Sequence, residues 1–161
     1  MNGIEYSATE IRRILQELFP QRRLVLSQLT FFNQVGVAKP TGTTFRRGRR
    51  CYRLEDLLSV ACMLALKEEG IPYKNVANLP ALVQQQAQKI FALGTGCRLS
   101  GFSDNIVLQF PGESLEAPSL QQFLAGDSSP LLFWGFDVGV LASQLQEVAH
   151  RRLFPAILAA A

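Results

Sequence analysis

Histidine and cysteine are scarce in this sequence. Its 161 residues include one histidine, His150, and three cysteines. Cys51, Cys62 and Cys97 form no CxxC pair and are odd in number, a usage typical of free thiols in a reducing compartment. We therefore interpret the three cysteines as small core or surface residues of a cytosolic protein.

The sequence also lacks the short motifs that mark common enzyme sites. No HExxH, GxGxxG, GxxxxGK[ST] or GxSxG run is present. His150 stands beside Arg151 and Arg152 with no catalytic motif around it, and Gly96 and Gly101 are too few for a phosphate cradle. We expect neither enzymatic activity nor a cofactor.

Long apolar runs are absent too. The longest near the end of the chain, from Leu131 to Ala142, is interrupted by Asp137 and is too short to cross a bilayer. Glu5 and Glu10 near the start argue against a secretory signal. A hydrophobic fraction of 48% with 18% charged residues is ordinary for a globular protein. The sequence therefore predicts a cytoplasmic protein with a packed core and no membrane partner.

Positive charge is concentrated in the first half of the chain. Residues 1–79 contain twelve Lys or Arg and seven Asp or Glu, a balance of +5, whereas residues 80–161 contain four and six, a balance of −2. Such asymmetry indicates a nucleic-acid or membrane partner for the basic half. Composition alone does not choose between these two partners.

Hydrophobic periodicity in the first half predicts helices and one hairpin. A first helix, capped by Ser7 or Thr9, is expected to run to about Phe19. The fourth and last helix of this half is expected to end at Pro80. The predicted order of helix, turn, helix, hairpin, helix, helix is that of a winged helix-turn-helix. The expected elements after the first helix are a helix capped by Ser27 and running to about Val35, a hairpin over 43–53, and helices over 55–69 and 73–78.

The second half is predicted to be a different, smaller α+β unit. Its pattern indicates a hairpin over 97–110, a helical turn over 119–124, a buried strand over 131–136 and a closing helix over 140–153. The fold class is thus α+β. The predicted organisation is a winged helix-turn-helix domain over 1–80, a connecting helix over 81–93 and a small α+β domain over 94–161.

One face of the second helix is predicted to be exposed. Advancing 100° per residue places Val25, Leu29 and Phe32 on the core side. In a helix-turn-helix the opposite face enters the major groove, where hydroxyl and amide groups suit base edges; an ordinary polar surface is the alternative. The residues expected to approach the groove are Ser27, Gln28, Thr30, Phe31 and Gln34.

Five arginines within eight residues form the strongest local feature. Guanidinium groups stay charged and bind phosphate in a bidentate fork. On a protruding hairpin they would hold the DNA backbone or enter a minor groove, with salt-dependent affinity; a solvated charge run is the alternative. The residues expected to contact the backbone are Arg46, Arg47, Arg49, Arg50 and Tyr52.

Three segments resemble the MerR family of bacterial transcription regulators. Leu29–Pro40 resembles the family's recognition helix and following turn. Gly48–Tyr52, followed by Asp56 and Leu57, resembles its wing and the start of the next helix. Gly70–Val76 resembles the turn before its fourth helix. The resemblance covers residues 4–79 and implies a winged helix-turn-helix that binds DNA.

The resemblance assigns roles to single positions and also shows departures. Phe31 and Phe32 stand at aromatic positions of the family, and Arg50 and Tyr52 stand at wing positions that meet phosphate. Thr30 replaces the family's arginine, and Phe31 lacks the hydroxyl that a tyrosine gives to phosphate. These departures suggest a divergent member with its own site preference, or a protein using the fold for another purpose.

The chain departs further from the family after residue 79. The helix over 81–93 is too short for the family's dimeric coiled coil, so a homodimer would depend on the α+β domain. Metal sensing, known in the family, would have only Cys97 and His150 in that half, and we expect no metal site. A small ligand or a protein partner at the C-terminal domain stays open.

The sequence therefore predicts a cytoplasmic, nucleoid-associated protein that binds specific double-stranded DNA sequences and regulates transcription. Two alternatives remain. One is a DNA-binding adaptor or architectural protein of phage, plasmid or nucleoid type, whose C-terminal domain recruits a protein partner. The other is a winged helix that binds only proteins.

Overall fold

A computed structural model describes residues 3–102, 105–113 and 133–153. These residues form a mixed α+β fold with five α-helices and two small antiparallel sheets, which confirms the predicted class. No helix among them is long and apolar enough to cross a membrane. The helices are α1 (Ala8–Leu18), α2 (Leu26–Gln34), α3 (Leu54–Glu68), α4 (Leu79–Leu93) and α5 (Val138–Leu153). The strands are β1 (Phe45–Arg46), β2 (Arg49–Arg50), β3 (Arg98–Phe102), β4 (Asn105–Gln109) and β5 (Phe133–Asp137).

Helix α1 begins with a reciprocal cap. The Glu10 amide donates to the Ser7 hydroxyl at 3.4 Å, and the Ser7 amide donates to the Glu10 carboxylate at 2.7 Å, so two amides at the helix start have partners. Of the two predicted caps, Ser7 is the one used. Ile11, Ile14 and Leu15 are buried on the inner face of the helix.

The turn between α1 and α2 is held by one glutamine. The Gln16 side-chain oxygen accepts from the Leu24 amide at 2.9 Å, and its nitrogen donates to the carbonyls of Phe19 and Arg22. Arg22 also pairs with Glu68 of α3 at 3.1 Å. The long turn is therefore ordered by specific hydrogen bonds and positions α2 beside α1.

Helix α2 starts two residues earlier than predicted. Val25, and not Ser27, is the residue that precedes the first turn, and the Gln28 side-chain oxygen accepts from the Val25 amide at 3.1 Å. Val25 is exposed, which corrects its predicted core position. Leu29 is buried and Phe32 half-buried, as the helical spacing predicts.

The segment around Pro80 differs most from the prediction. Only a single 3-10 turn, Tyr73–Asn75, forms where a fourth helix was expected. Pro80 does not close that helix but lies in the first turn of α4. Proline is tolerated there because the first amides of a helix have no intrahelical partner. Helix α4 thus starts at Leu79 and packs against both α3 and α5.

The second sheet has the strand order β4-β3-β5. All three strands confirm the predicted segments with shifted ends, and Gly101 pairs with Trp134 while Leu99 pairs with Phe136. A side chain at Gly101 would overlap the Trp134 ring, since an added Cβ would lie 2.4 Å from it. The helical turn predicted over 119–124, together with residues 131–132 of the predicted strand, lies outside the described residues.

Helix α5 joins the two halves of the chain in one hydrophobic core. It packs against α1, α3 and α4, and buried residues of both halves belong to the same cluster. Its first turn is seated closely on the end of α4, because an added Cβ at Gly139 would lie 1.8 Å from the Gly94 carbonyl oxygen. Arg151 and Arg152 pair with Glu17 of α1 at 3.1 and 2.7 Å. The described parts of the two predicted domains therefore pack as one body.

Candidate nucleic-acid interface

The arginine hairpin, residues 45–50, is closed by a two-residue turn at Arg47 and Gly48, as predicted. Both residues have positive φ, 53° and 72°, a turn whose twist matches that of the two strands. Gly48 adopts this conformation without a steric penalty. Arg47 does not, at a cost of roughly 1–2 kcal/mol. The turn therefore places an arginine at the tip of the hairpin.

The four hairpin arginines are all exposed but have different surroundings. Arg46 pairs with Arg49, and Phe45 with Arg50, so each pair shares one face of the hairpin. Arg46 reaches back to Glu10 of α1 at 3.0 Å. The Arg50 guanidinium lies 5.5 Å from the centre of the Phe45 ring, a cation–π contact.

Glu5 anchors the segment that leads into the hairpin. Its carboxylate accepts from the Thr43 amide at 2.6 Å, the Thr43 hydroxyl at 2.9 Å and the Thr44 amide at 2.7 Å. Hydrogen bonds from Thr44 and Thr43 lower the pKa of Glu5 to about 2, because they favour the ionised form. The entry to the hairpin is therefore held by a carboxylate that is charged at neutral pH.

Glu10 combines two tasks at the other side of the hairpin. Burial acts to raise its pKa, but hydrogen bonds from Ser7 and the charge of Arg46 prevail and lower it. The same carboxylate thus completes the α1 cap and holds Arg46. Arg46 is consequently tied to α1, and its predicted contact with the DNA backbone would first have to break this pair.

Tyr52 does not occupy the exposed position predicted for a phosphate contact. It is only 7% exposed, and its backbone exchanges two hydrogen bonds of 2.8 Å with Tyr6. Burial raises the pKa of the Tyr52 phenol. The pairing with Tyr6, far away in sequence, draws this segment into the core, and the burial of Tyr52 argues against the predicted phosphate contact.

The predicted exposed face of α2 is largely confirmed. Ser27, Thr30, Phe31 and Gln34 are exposed, with Phe31 at 56%. Gln28 is half-buried, and its oxygen is occupied by the Val25 amide. The Thr30 hydroxyl donates to the Leu26 carbonyl at 3.3 Å. Four of the five positions thus form the surface, whereas Gln28 contributes to the helix start.

A cleft of about 320 Å³ separates α2 from the arginine hairpin. Leu26, Thr30 and Asn33 line its α2 side, and Arg49 and Arg50 line the hairpin side. The floor is formed by Ala8, Leu29, Pro40 and Tyr52. The fold therefore brings one predicted base-reading residue, Thr30, and two predicted backbone-holding residues, Arg49 and Arg50, to one concave surface. Ser27, Phe31 and Gln34 do not line the cleft.

Sequence reasoning missed the buried carboxylate that supports this surface. Asp56, 1% exposed, accepts from the Thr41 amide and hydroxyl, each at 2.9 Å, from the Arg53 amide at 2.8 Å and from the Gln84 amide group at 3.2 Å. It thereby joins the segments before and after the hairpin to α3 and α4. An acidic residue three positions after a Ser or Thr cap is a known signal at helix starts and identifies Glu10 after Ser7, but Asp56 follows Arg53 and carries no such local signal.

Sequence similarity to known proteins gives no information on the function of this surface. No protein-family model matches the chain, and no curated protein has significant sequence similarity to it. The resemblance to MerR-type regulators therefore stays a prediction. Within residues 3–102, 105–113 and 133–153, no three His, Cys, Asp or Glu side chains are grouped so as to hold a metal ion.

Proposed function

We propose that this chain binds specific sequences of double-stranded DNA and regulates transcription. In this proposal α1 and α2 form a helix-turn-helix, and the arginine hairpin is its wing. The observation that carries the proposal is the cleft, which has an uncharged helix face on one side and Arg49 and Arg50 on the other. In DNA-binding proteins, charged side chains position the protein on the phosphates, and uncharged hydrogen-bonding side chains contact the base edges.

The hairpin supplies the contact with phosphate. Arg47 and Arg49 take part in no ion pair among the described residues, so their guanidinium groups need not give up a carboxylate to bind DNA. Arg50 is held over Phe45 with its donors at the surface. Contacts of this kind release counterions from DNA and give affinity that falls with salt.

Helix α2 supplies the contact with base edges. Its sequence, LSQLTFFNQ, contains no charged residue, so nothing on the helix repels DNA. The exposed hydroxyl and amide groups of Ser27, Thr30 and Gln34 are types that bond to base edges in the major groove. An α-helix with its side chains, about 10–12 Å across, fits a major groove about 12 Å wide.

A second candidate function is that of a DNA-binding adaptor whose C-terminal half recruits a partner. A cavity of about 650 Å³ between the end of α3, β5 and α5 favours it. Apolar side chains of Ile71, Trp134 and Phe136 line this cavity, and Glu69 lies at it. The carboxylates of Glu68 and Asp137 also line it, and a cavity of this size is suited to a small ligand or to a side chain of another protein.

Selection from a random library of double-stranded DNA tests both candidates. Enrichment of one short motif supports the regulator, and a palindromic motif adds that the chain acts as a homodimer. Binding that grows with DNA length but selects no motif supports the adaptor. No binding even at low salt contradicts both and leaves a protein-binding module.

A further inference from the structure

Phe31 is a large apolar side chain in the middle of the exposed face of α2. It is 56% exposed, and its neighbours on that face are the polar Ser27, Thr30 and Gln34 and, one turn further on, the less exposed Val35. The apolar surface of such a ring gains free energy when a partner covers it. We propose that Phe31 contacts the 5-methyl group of a pyrimidine, thymine or 5-methylcytosine, in the major groove; this inference rests on the proposed function.

The ring is held in place by its own helix. Phe31 lies 6.1 Å from Phe32, centre to centre, with the ring planes tilted by 55°. Phe32 is half-buried and packs against the hydrophobic core. An aromatic pair of this geometry is favourable in itself. Phe32 therefore supports the Phe31 ring on one side, and the rest of the ring is exposed.

The chemistry of the ring selects the ligand. A phenylalanine has no donor or acceptor, so it cannot read the hydrogen-bonding pattern of a base or bind phosphate. The 5-methyl group is the apolar feature that thymine presents in the major groove, and phenylalanine is a suitable contact for it. Ordinary cytosine carries hydrogen at that position, and 5-methylcytosine carries the methyl group.

The charges around α2 favour DNA over a protein as the occupant of this face. The helix itself is uncharged, and the exposed Arg23 precedes it while the exposed Lys39 follows it. The arginine hairpin lies across the cleft. A neutral, partly apolar strip bordered by positive charge complements a groove bordered by phosphates.

The test compares duplexes that differ by one methyl group. In the DNA selected above, each thymine is replaced in turn by uracil, and binding is measured by fluorescence anisotropy at constant salt. Wild type should lose about fourfold in affinity at the position read, the equivalent of one buried methyl group. For Phe31→Ala the ratio between thymine and uracil should fall to about one, and Phe31→Leu should keep part of it.

Phe45→Ala is the matched control. Phe45 is also an exposed phenylalanine, at 61%, but it belongs to the hairpin and not to α2. Its removal should leave the thymine-to-uracil ratio of the wild type unchanged. Circular dichroism and the unfolding midpoint establish that each variant is folded, which is expected because both rings are exposed.

A second pair of duplexes carries cytosine or 5-methylcytosine, paired with guanine, at the position read. The methylated duplex should bind about fourfold more tightly, again only when Phe31 is present. Specific binding with a thymine-to-uracil ratio near one at every position would overturn the inference and leave the proposed function intact. A ratio that persists in Phe31→Ala would also overturn it. Failure to bind any duplex would instead refute the proposed function.

Discussion

Residues 45–50 and residues 51–56 follow one another in the chain but lie in opposite environments. Every residue of the first segment is exposed, including four arginines. In the second segment Cys51, Tyr52 and Asp56 are buried. The first segment has two paired positions in each strand and a strained turn, whereas the second ends in a carboxylate with four hydrogen bonds.

The difference indicates that residues 51–56 stabilise the fold and that the exposed arginines of residues 45–50 are available for binding. A hairpin with so few strand pairs is not stable alone, and here it is held from outside by Glu5, Glu10 and the network at Asp56. Changes in the second segment should therefore alter the fold. Changes in the exposed arginines should alter affinity and leave the fold intact.

The largest effect on stability is expected at Asp56. In Asp56→Ala the amides of Thr41 and Arg53 and the side chain of Gln84 lose the buried carboxylate that accepts from them. Several donors losing one charged acceptor is costly, so the free energy of unfolding should fall by about 3 kcal/mol, measured by urea denaturation. Glu55→Ala, which removes the adjacent carboxylate from the same helix turn, should cost well under half of that. Equal losses would contradict the role given to Asp56.

A smaller effect is expected at Glu10. Glu10→Ala removes half of the α1 cap and releases Arg46, and it should lower the free energy of unfolding by about 1 kcal/mol. The released arginine becomes available to phosphate. The slope of log DNA affinity against log salt concentration should therefore become steeper by about 0.9. Ser7→Ala, which weakens the cap but keeps the Arg46 pair, should lose stability without this change in slope. A slope that changes equally in both variants would contradict the account.

The smallest effect is the contribution of Glu5 to acid stability. Its pKa is lowered from 4.5 to about 2 in the folded chain, so the unfolded chain binds a proton first as the pH falls. The stabilisation is complete above about pH 4.5 and is lost as the pH falls towards about 2. The unfolding midpoint of Glu5→Gln should therefore fall less steeply with acid than that of the wild type. Titration of the Glu5 carboxyl by NMR with a midpoint near its ordinary value would contradict this.

Local sequence patterns predicted the structure correctly where a residue's environment depends on its neighbours in sequence. The 100° spacing placed Leu29 inward and Phe31 outward on α2, as observed. The Arg47-Gly48 pair placed the hairpin turn correctly. Pro80 was misplaced because proline occurs both after helices and in their first turns, and the local sequence does not separate the two cases.

The remaining features depend on residues far apart in the chain. Tyr52 is buried through its pairing with Tyr6, and Arg46 finds Glu10 across 36 positions. Helix α5 packs against α1 in the same hydrophobic core, and no local sequence pattern predicts this contact. The sequence therefore indicated which surface carries positive charge, but not which of its arginines are already engaged.

The central claim, that the arginine hairpin holds DNA, is tested most directly by the salt dependence of binding. Wild type, Arg49→Ala with Arg50→Ala, and Arg151→Ala with Arg152→Ala are compared on the selected duplex over a range of salt concentrations. The two double variants lose the same charge, but Arg151 and Arg152 are tied to Glu17. We expect the slope of log affinity against log salt to fall by about 1.8 in the hairpin variant and to stay unchanged in the α5 variant. Equal slopes in the two variants would contradict the claim.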